Sequence, residues 1–382
     1  MKFFHLSDLH IGLKLINREL GEDQRFILQQ IVDLAEAERP DAVVIAGDVY
    51  DKAVPSAEAV EIFDGFISRL AEALPECEIL VISGNHDSAA RMNLYRSVLQ
   101  RQKIHMIGLP PRRPEEHIER VTLRDEYGDV HFYLLPFVRP SMVREIVGTD
   151  ARGNSLSYDE AVHRLIEREE IDENARNVLV SHQFYLPVGA DASAVERADS
   201  EIRTVGDIDE VHADILERFD YAALGHIHRP MRVGDDAHRY CGTPLACSVS
   251  EAGQEKGIVL VEMGRKGDVR TKVLPLVPLR QVRVLRGTAE ELLPCTCEDY
   301  VTVILTDTTD LEILDVLDRL RAAFPNLLEV RREGVRGVEY GKEYAPEQEK
   351  DIYELCTDFL GELDNAEQAV LRDVINTVKE AR

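Results

Sequence analysis

Five short apolar runs in this chain each stop abruptly at polar, metal-ligating residues, and that recurrence constrains the fold more than any other feature. The clearest reads Val43-Val44-Ile45-Ala46-Gly47-Asp48. A β-branched run that ends in Gly-Asp is a buried strand delivering one carboxylate to the rim of a sheet. Alone, Gly-Asp would only open a turn. Here it has company. Residues 2–6 lead into Ser7-Asp8-Leu9-His10, and residues 79–82 into Ser83-Gly84-Asn85-His86-Asp87. Residues 178–180 lead into Ser181-His182, and residues 221–224 into Gly225-His226-Ile227-His228. Helical apolar spacing over 22–38, and again from Ser56, a suitable N-cap, to Leu70, separates the first three strands. This alternation predicts an α/β fold with its site beyond the carboxyl ends of the strands.

The donor types point to metal. Five of the twelve histidines sit at these strand ends, so the chain concentrates imidazole there. Carboxylate, imidazole and one amide oxygen, with no thiolate, suit Mn, Fe or Zn. Two neighbouring divalent ions repel, which calls for a carboxylate shared between them; Asp48, ending the central strand, is the residue assigned to bridge. His226 and His228 are two apart, and extended backbone would point both rings the same way, one toward each metal. The six cysteines are scattered, and Cys295-Thr296-Cys297 lacks a second pair to finish a zinc site, so a reduced, cytoplasmic setting is expected. No apolar run reaches about 18 residues, so no membrane span is expected, and the first residues enter a strand without a leader pattern. The absence of a Gly-x-x-x-x-Gly-Lys-Ser/Thr loop argues against ATP hydrolysis by that route. A net charge of −26 argues against nucleic acid, unless a metal centre and local arginines override it on one face. Arg91, Arg112, Arg113, Arg139, Arg331, Arg332 and Arg336 are the candidates for that face.

A chain of 382 residues calls for two or three domains. Strands at 120–123 and 130–135 flank a turn at 127–129, residues 139–176 are helical or loop, and 257–262 reads as the first domain's final strand. Residues 274–278 read as a linker. Strands at 281–285, 300–306 and 327–331, with a helix marked by Leu311, Leu314, Leu317 and Leu320, form a small α/β unit. Residues 333–344 read as a polar, Gly-rich hinge. Two amphipathic helices follow, one through Ile352, Leu355, Cys356, Phe359 and Leu360, the other through Val370, Leu371, Val374, Ile375 and Val378, broken at Asp364-Asn365. The expected domains are 1–277, 278–338 and 339–382.

Asp8-Leu9-His10, Gly47-Asp48-Val49-Tyr50-Asp51, Gly84-Asn85-His86-Asp87, Ser181-His182 and Gly225-His226-Ile227-His228 resemble the five motifs of the calcineurin-type metallophosphoesterases. The longer runs, residues 4–12, 47–52 and 84–88, are similar to the SbcD branch, the nuclease subunits of bacterial SbcCD complexes. The resemblance implies a four-layer αββα sandwich with a small capping domain and a C-terminal helical pair. It implies two divalent ions, Mn²⁺ favoured: Asp8, His10, Asp48 and His228 would hold one, and Asp48, Asn85, His182 and His226 the other. His86 would contact the scissile phosphate and protonate the leaving oxygen, with Asp51 as the acid orienting it; Asp87 is open between a site role and a structural one. The implied activity is 3′–5′ exonuclease on double strands and endonuclease on single strands and hairpins, in DNA end processing. The implied partners are DNA ends, an SbcC-type ATPase bound by the tail, and a second copy, as a homodimer within a heterotetramer. Two other readings are a stand-alone phosphodiesterase or phosphatase on small substrates, which would need neither cap nor tail, and a non-catalytic DNA-end scaffold, which would not need the full ligand set.

Overall fold

The apolar runs pair into two six-stranded sheets. The first runs, in spatial order, Val269–Pro275, Gly257–Met263, Lys2–Leu6, Ala42–Ala46, Glu78–Ile82 and Ile104–Ile107. Its last four strands are parallel, so Leu6, Ala46 and Ile82 reach one rim. The second runs Met231–Val233, Asp235–Tyr240, Tyr221–Leu224, Arg176–Ser181, Gly128–Leu135 and Glu119–Asp125, its four inner strands also parallel. This computed structural model describes residues 1–151, 153–187, 189, 198, 201, 209–307, 313–333, 352–360 and 364–380.

Strand alternation explains the layering. Successive side chains point to opposite faces, and every residue of Ala42–Ala46 is buried. Val43 and Ile45 pack outward with the helices Gly21–Glu38 and Ala57–Ala73. Ala42, Val44 and Ala46 pack inward, into a core shared with Phe132, Val178 and Ala223 of the second sheet. Phe3 and Phe132 meet edge to face across it, with ring centroids 5.2 Å apart. The outer face of the second sheet buries Tyr133, Leu179 and Leu224 with Val162 and Leu165 of the helix Tyr158–Glu167. At about 1.5–3 kcal/mol per fully buried Val, Leu, Ile or Phe, these three apolar layers hold the strand ends in register. The result is the four-layer αββα sandwich. Ser56 caps its helix by accepting from Ala59 N, at 3.1 Å, and the helix runs to Ala73.

Several boundaries differ from those expected. The strand at Gly257 is not the last of its sheet, because Val269–Pro275 pairs beside it, from Met263↔Val269 to Gly257↔Pro275. Residues 274 and 275 therefore belong to the sheet and not to a linker. This edge strand exposes Arg270 and Lys272, a charged edge that resists further pairing and hides the strand from apolar pattern reading. Asp235–Tyr240 escaped for the same reason, being mostly polar.

Three parallel strands, Val282–Gly287, Tyr300–Leu305 and Leu327–Arg332, form the small unit, packed on Ile313–Ala323 through Val316 and Leu320. It seats on the start of Gly21–Glu38: the Tyr300 hydroxyl and Arg280 Nη1 both donate to Asp23, each at 2.8 Å. The tail helices are Ile352–Leu360 and Asn365–Glu380, the second capped by the Asp364 carboxylate. Leu311, Arg336 and the hinge beyond Glu333 lie outside the described residues.

Candidate metal centre

All five strand ends meet at one place, and the backbone there is bent hard. Asp8 (φ 53), His10 (φ 42), Asp48 (φ 49) and His226 (φ 103) all take positive φ. Such conformations cost about 1–3 kcal/mol each and persist only where neighbours fix them. Here the neighbouring turns are stitched together: Asp8 N donates to Gly47 O at 3.0 Å, His10 N to Asp48 O at 3.0 Å, and Ile11 N to Val49 O at 2.9 Å. Gly225 closes the second sheet onto the first, since a Cβ there would sit 2.0 Å from the Ala46 carbonyl oxygen.

Asp48 is the focus. Its Oδ2 lies 3.3 Å from His182 Nε2, 3.7 Å from His10 Nε2 and 4.0 Å from His86 Nε2. Its Oδ1 accepts from His86 N at 2.8 Å. On one side stand Asp8, His10 and His228, with donor atoms mutually within 4.8 Å. On the other, Asn85 Oδ1 is 3.0 Å from both His182 Nε2 and His226 Nδ1. Asp8 and Asp48 cluster in turn with His182, so both carboxylates lie between the two groups.

This donor set suits divalent cations. Asp8, His10, Asp48, His182 and His228 are all buried, and buried charge needs a partner. His10 Nε2 and His228 Nε2 face each other at 3.1 Å, where at most one proton fits between them, and His10 Nδ1 has no hydrogen-bond partner among the described residues. Without metal, the charges sort unevenly. Burial pushes Asp8 up, and pushes His10 well below its ordinary range with help from the neighbouring His228. Burial also opposes the Asp48 charge, but His182, His86 and His10 outweigh it and hold the carboxyl well below the usual range. Against burial, Asp48 and Asp8 push His182 up to about 9.

The structure brings the seven expected ligand residues together, with His228 beside Asp8 and His10, and His226 beside Asn85. The i, i+2 argument for His226 and His228 does not explain it, since the turn at His226 is not extended and sends the rings apart, one to each group. His86 stands at the open side, edge-on to His10 with centroids 4.7 Å apart. Asp51 departs from its expected role: its backbone carbonyl, not its carboxylate, lies 2.9 Å from His86 Nδ1. The chain curls after Asp48 so that main chain meets the ring, and the Asp51 carboxylate instead lies 4.0 Å from His10 Nδ1. Asp87 resolves to structure, accepting from Val49 N, Tyr50 N and Gly84 N at 2.9–3.1 Å and so clamping the Asp48 loop.

Sequence reading missed the supports. Gln24 donates to His10 O at 2.7 Å and accepts from Gly12 N at 3.0 Å. Ser7 Oγ donates to Asp8 Oδ2. Phe137 stacks on His226 at 6.3 Å and 22°. Glu251 stands 3.6 Å from His228 Nδ1. Only the last carries a local signal, Ser248-Val249-Ser250-Glu251, which reads as a capping box and points nowhere near the site. Of the arginines, Arg112, Arg113 and Arg139 line one cavity of about 1010 Å³ together with Arg96. Arg91 donates to the Ala53 carbonyl at 3.3 Å, and Arg331 pairs with Glu329.

A two-sheet sandwich with His, Asp and Asn donors at its strand ends defines a metal-dependent phosphoesterase class, and the chain belongs to the calcineurin-like phosphoesterase family, whose sequence model matches residues 1–230. Within that family it falls on the SbcD branch. The SbcD component of the SbcCD nuclease of Staphylococcus epidermidis is 30% identical over 335 residues, covering 86% of this chain and 84% of that protein. Two solved structures are more distant. A dimetal phosphatase from Danio rerio has 13% identity, covers 74% of this chain and 99% of its own, and has a TM-score of 0.42. GAP50, the anchor in the inner membrane complex of Plasmodium, has 12% identity, 89% and 99% coverage and a TM-score of 0.43. No helix among the described residues is long and apolar enough to cross a membrane.

Proposed function

We propose that this chain is the metal-dependent DNA nuclease subunit of an SbcCD-type complex. The observation that carries the reading is the approach of His10 from one donor group and His182 from the other to one carboxylate oxygen, Asp48 Oδ2. Asp8, His10, Asp48 and His228 would hold one divalent ion, and Asp48, Asn85, His182 and His226 the second, with Mn²⁺ favoured. Ions so held polarise phosphoryl oxygens and activate water. The chain's own residues do the rest. With His86 Nδ1 fixed on the Asp51 carbonyl, Nε2 is the nitrogen turned toward the cluster. A proton carried there is available to a phosphoryl oxygen or the leaving oxygen.

The relative's description as part of a nuclease supports a polynucleotide substrate. So does the arginine-lined cavity: Arg139 lies 5.8 Å from the Phe137 ring, which stacks on His226. Arg139, one ring away from His226, and a cationic centre would offset the chain's overall acidity at this face, although Arg96 and Arg113 are paired with Glu119 and Glu116 in the same cavity. The finer activities in this reading are 3′–5′ exonuclease on double strands and endonuclease on single strands and hairpins, in the cytoplasm. Residues 1–277 form the nuclease unit, 278–338 cap it, and 339–382 bind the ATPase. Phe359 is 89% exposed, and Leu360 on the same helix and Val370 and Val374 on the next are exposed too, apolar surface that an SbcC-type ATPase would cover. A homodimer within a heterotetramer completes the assembly.

The test is purified protein with Mn²⁺, given end-labelled duplex, hairpin DNA and a chromogenic phosphodiester. DNA degradation is the expected result. Turnover of the chromogenic ester alone would mean a small-substrate esterase, and DNA binding without turnover a scaffold.

A further inference from the structure

Beneath His228 lies a buried ion pair that none of the five motifs contains. Glu251, Lys256 and Thr243 are all buried. Glu251 Oε2 accepts from Lys256 Nζ at 2.6 Å and from Thr243 Oγ1 at 3.1 Å. Its Oε1 accepts from Cys247 N at 3.2 Å and Ser248 Oγ at 3.1 Å, and faces His228 Nδ1 at 3.6 Å. Lys256 Nζ also donates to Thr243 Oγ1 at 2.8 Å, Gln254 Oε1 at 3.0 Å and the His228 carbonyl at 3.3 Å. A buried charge pair replaced by apolar side chains often costs little stability, so stability alone gives the chain no reason to keep one here.

Its direction does. The carboxylate faces Nδ1 of His228, while Nε2 of the same ring faces His10 Nε2 and the Asp8 group. A ligating histidine ordinarily gives its other N–H to a carboxylate or carbonyl, which fixes tautomer and ring orientation. Cys247 belongs to the same cluster, but the Lys256 ammonium already supplies the cation at Glu251, so the cluster is a support and not a third metal site. The turn Val249–Glu251 that carries Glu251 also packs against the first strand of the small unit, Val282–Gly287.

We infer that Glu251, held by Lys256, is the positioning residue for His228: it accepts the Nδ1–H hydrogen bond and so commits Nε2 to the metal shared with Asp8 and His10. This rests on the two-metal reading. Lys256 has a second part, anchoring the His228 main chain through its carbonyl.

The test counts metal and does not rely on activity. Wild type, Glu251→Gln/Lys256→Met and the single Glu251→Gln are titrated with Mn²⁺ by calorimetry and followed by electron paramagnetic resonance. The double variant removes both charges together, so it is the one expected to fold. It should bind one ion as wild type does and the other about 10–100-fold more weakly, its spectrum changing from a coupled pair to an isolated ion. Two ions bound with unchanged affinity would overturn the inference. Should either variant fail to fold, cadmium-loaded wild type with isotope-labelled histidine decides. Metal coupling through His228 Nε2 with a protonated Nδ1 supports the assignment, and coupling through Nδ1 overturns it. Wild type binding fewer than two ions would instead overturn the underlying metal reading, and the same wild-type titration reports that separately.

Discussion

Replacing Gly84 by alanine should dislodge the shared carboxylate while leaving the fold intact. A Cβ built at Gly84 sits 2.1 Å from Asp48 Oδ1 and 2.5 Å from Asp48 N. Ordinary contact begins at 3.4 Å, so something must retreat by more than an ångström. The Gly84 backbone is poorly placed to do so. Gly84 N is bound to Asp87 at 2.9 Å, and the preceding Ser83 donates to Ile107 O at 3.1 Å and accepts from Phe137 N at 3.0 Å. Rotating the Asp48 carboxylate relieves the first contact by giving up His86 N and the approach to His182, and relieving the second moves the Asp48 backbone itself. Overpacking of this kind costs about 1–3 kcal/mol of stability, which a chain this size survives. A misplacement of about 1 Å at a reacting centre costs about 10²-fold in rate, and on the proposed two-metal reading it would also take a ligand from both ions. The assay is Mn²⁺ content after dialysis, thermal melting and turnover of a chromogenic phosphodiester. Gly84→Ala should melt within several degrees of wild type, hold less than its full metal complement and turn over about 10²-fold more slowly. A variant with both ions at unchanged affinity and near-wild-type turnover would refute the placement of Asp48.

Other variants separate ligand, acid and scaffold. His86→Ala should retain both metals and lose about 10²–10⁴ in turnover, and lost metal occupancy would make His86 a ligand. Asp51→Asn keeps the carbonyl that holds His86, so its turnover should stay within a few-fold of wild type; a loss as deep as that of His86→Ala would return the role to the carboxylate. Deleting residues 345–382 should abolish co-purification with an SbcC-type ATPase and spare the chromogenic ester, and an unchanged complex would count against the tail as the docking segment. Far from the site, burial works against the Asp125 charge, but Arg176 and the N-terminal ammonium outweigh it and hold that carboxyl well below its ordinary 3.8. A depressed carboxyl contributes stability above its unfolded pKa and loses it as pH falls. Asp125→Asn should therefore cost about 1–3 kcal/mol in urea melts at pH 7, with the gap narrowing below about pH 4. A gap independent of pH would refute the charge argument.

The sites that sequence made legible are those where local pattern and tertiary role coincide. Val43 to Ala46 announces a buried strand because every residue of it is apolar, and Asp48 is conspicuous because it interrupts that run. Charged edge strands such as Val269–Pro275 carry no such contrast, since one neighbour and a solvated face demand little of their side chains. Which side chains meet was legible, but their orientation was not. Whether residue 51 meets His86 through carboxylate or carbonyl depends on how the chain curls after a positive-φ aspartate, and no spacing encodes that. Gln24 and Glu251 stayed hidden because their contacts to His10 and His228 exist only once the helix and the loop have packed.

If Asp48 serves two metals, removing its charge must weaken both, and a metal count reports that. Wild type and Asp48→Asn are each titrated with Mn²⁺ and read by calorimetry alongside the metal content of the dialysed protein. The geometry predicts two ions on wild type and both sites weakened together in the variant, because Asp48 Oδ2 faces His10 on one side and His182 on the other. A variant that loses one ion and binds the second with unchanged affinity would contradict the shared carboxylate, and with it the two-metal account of the site.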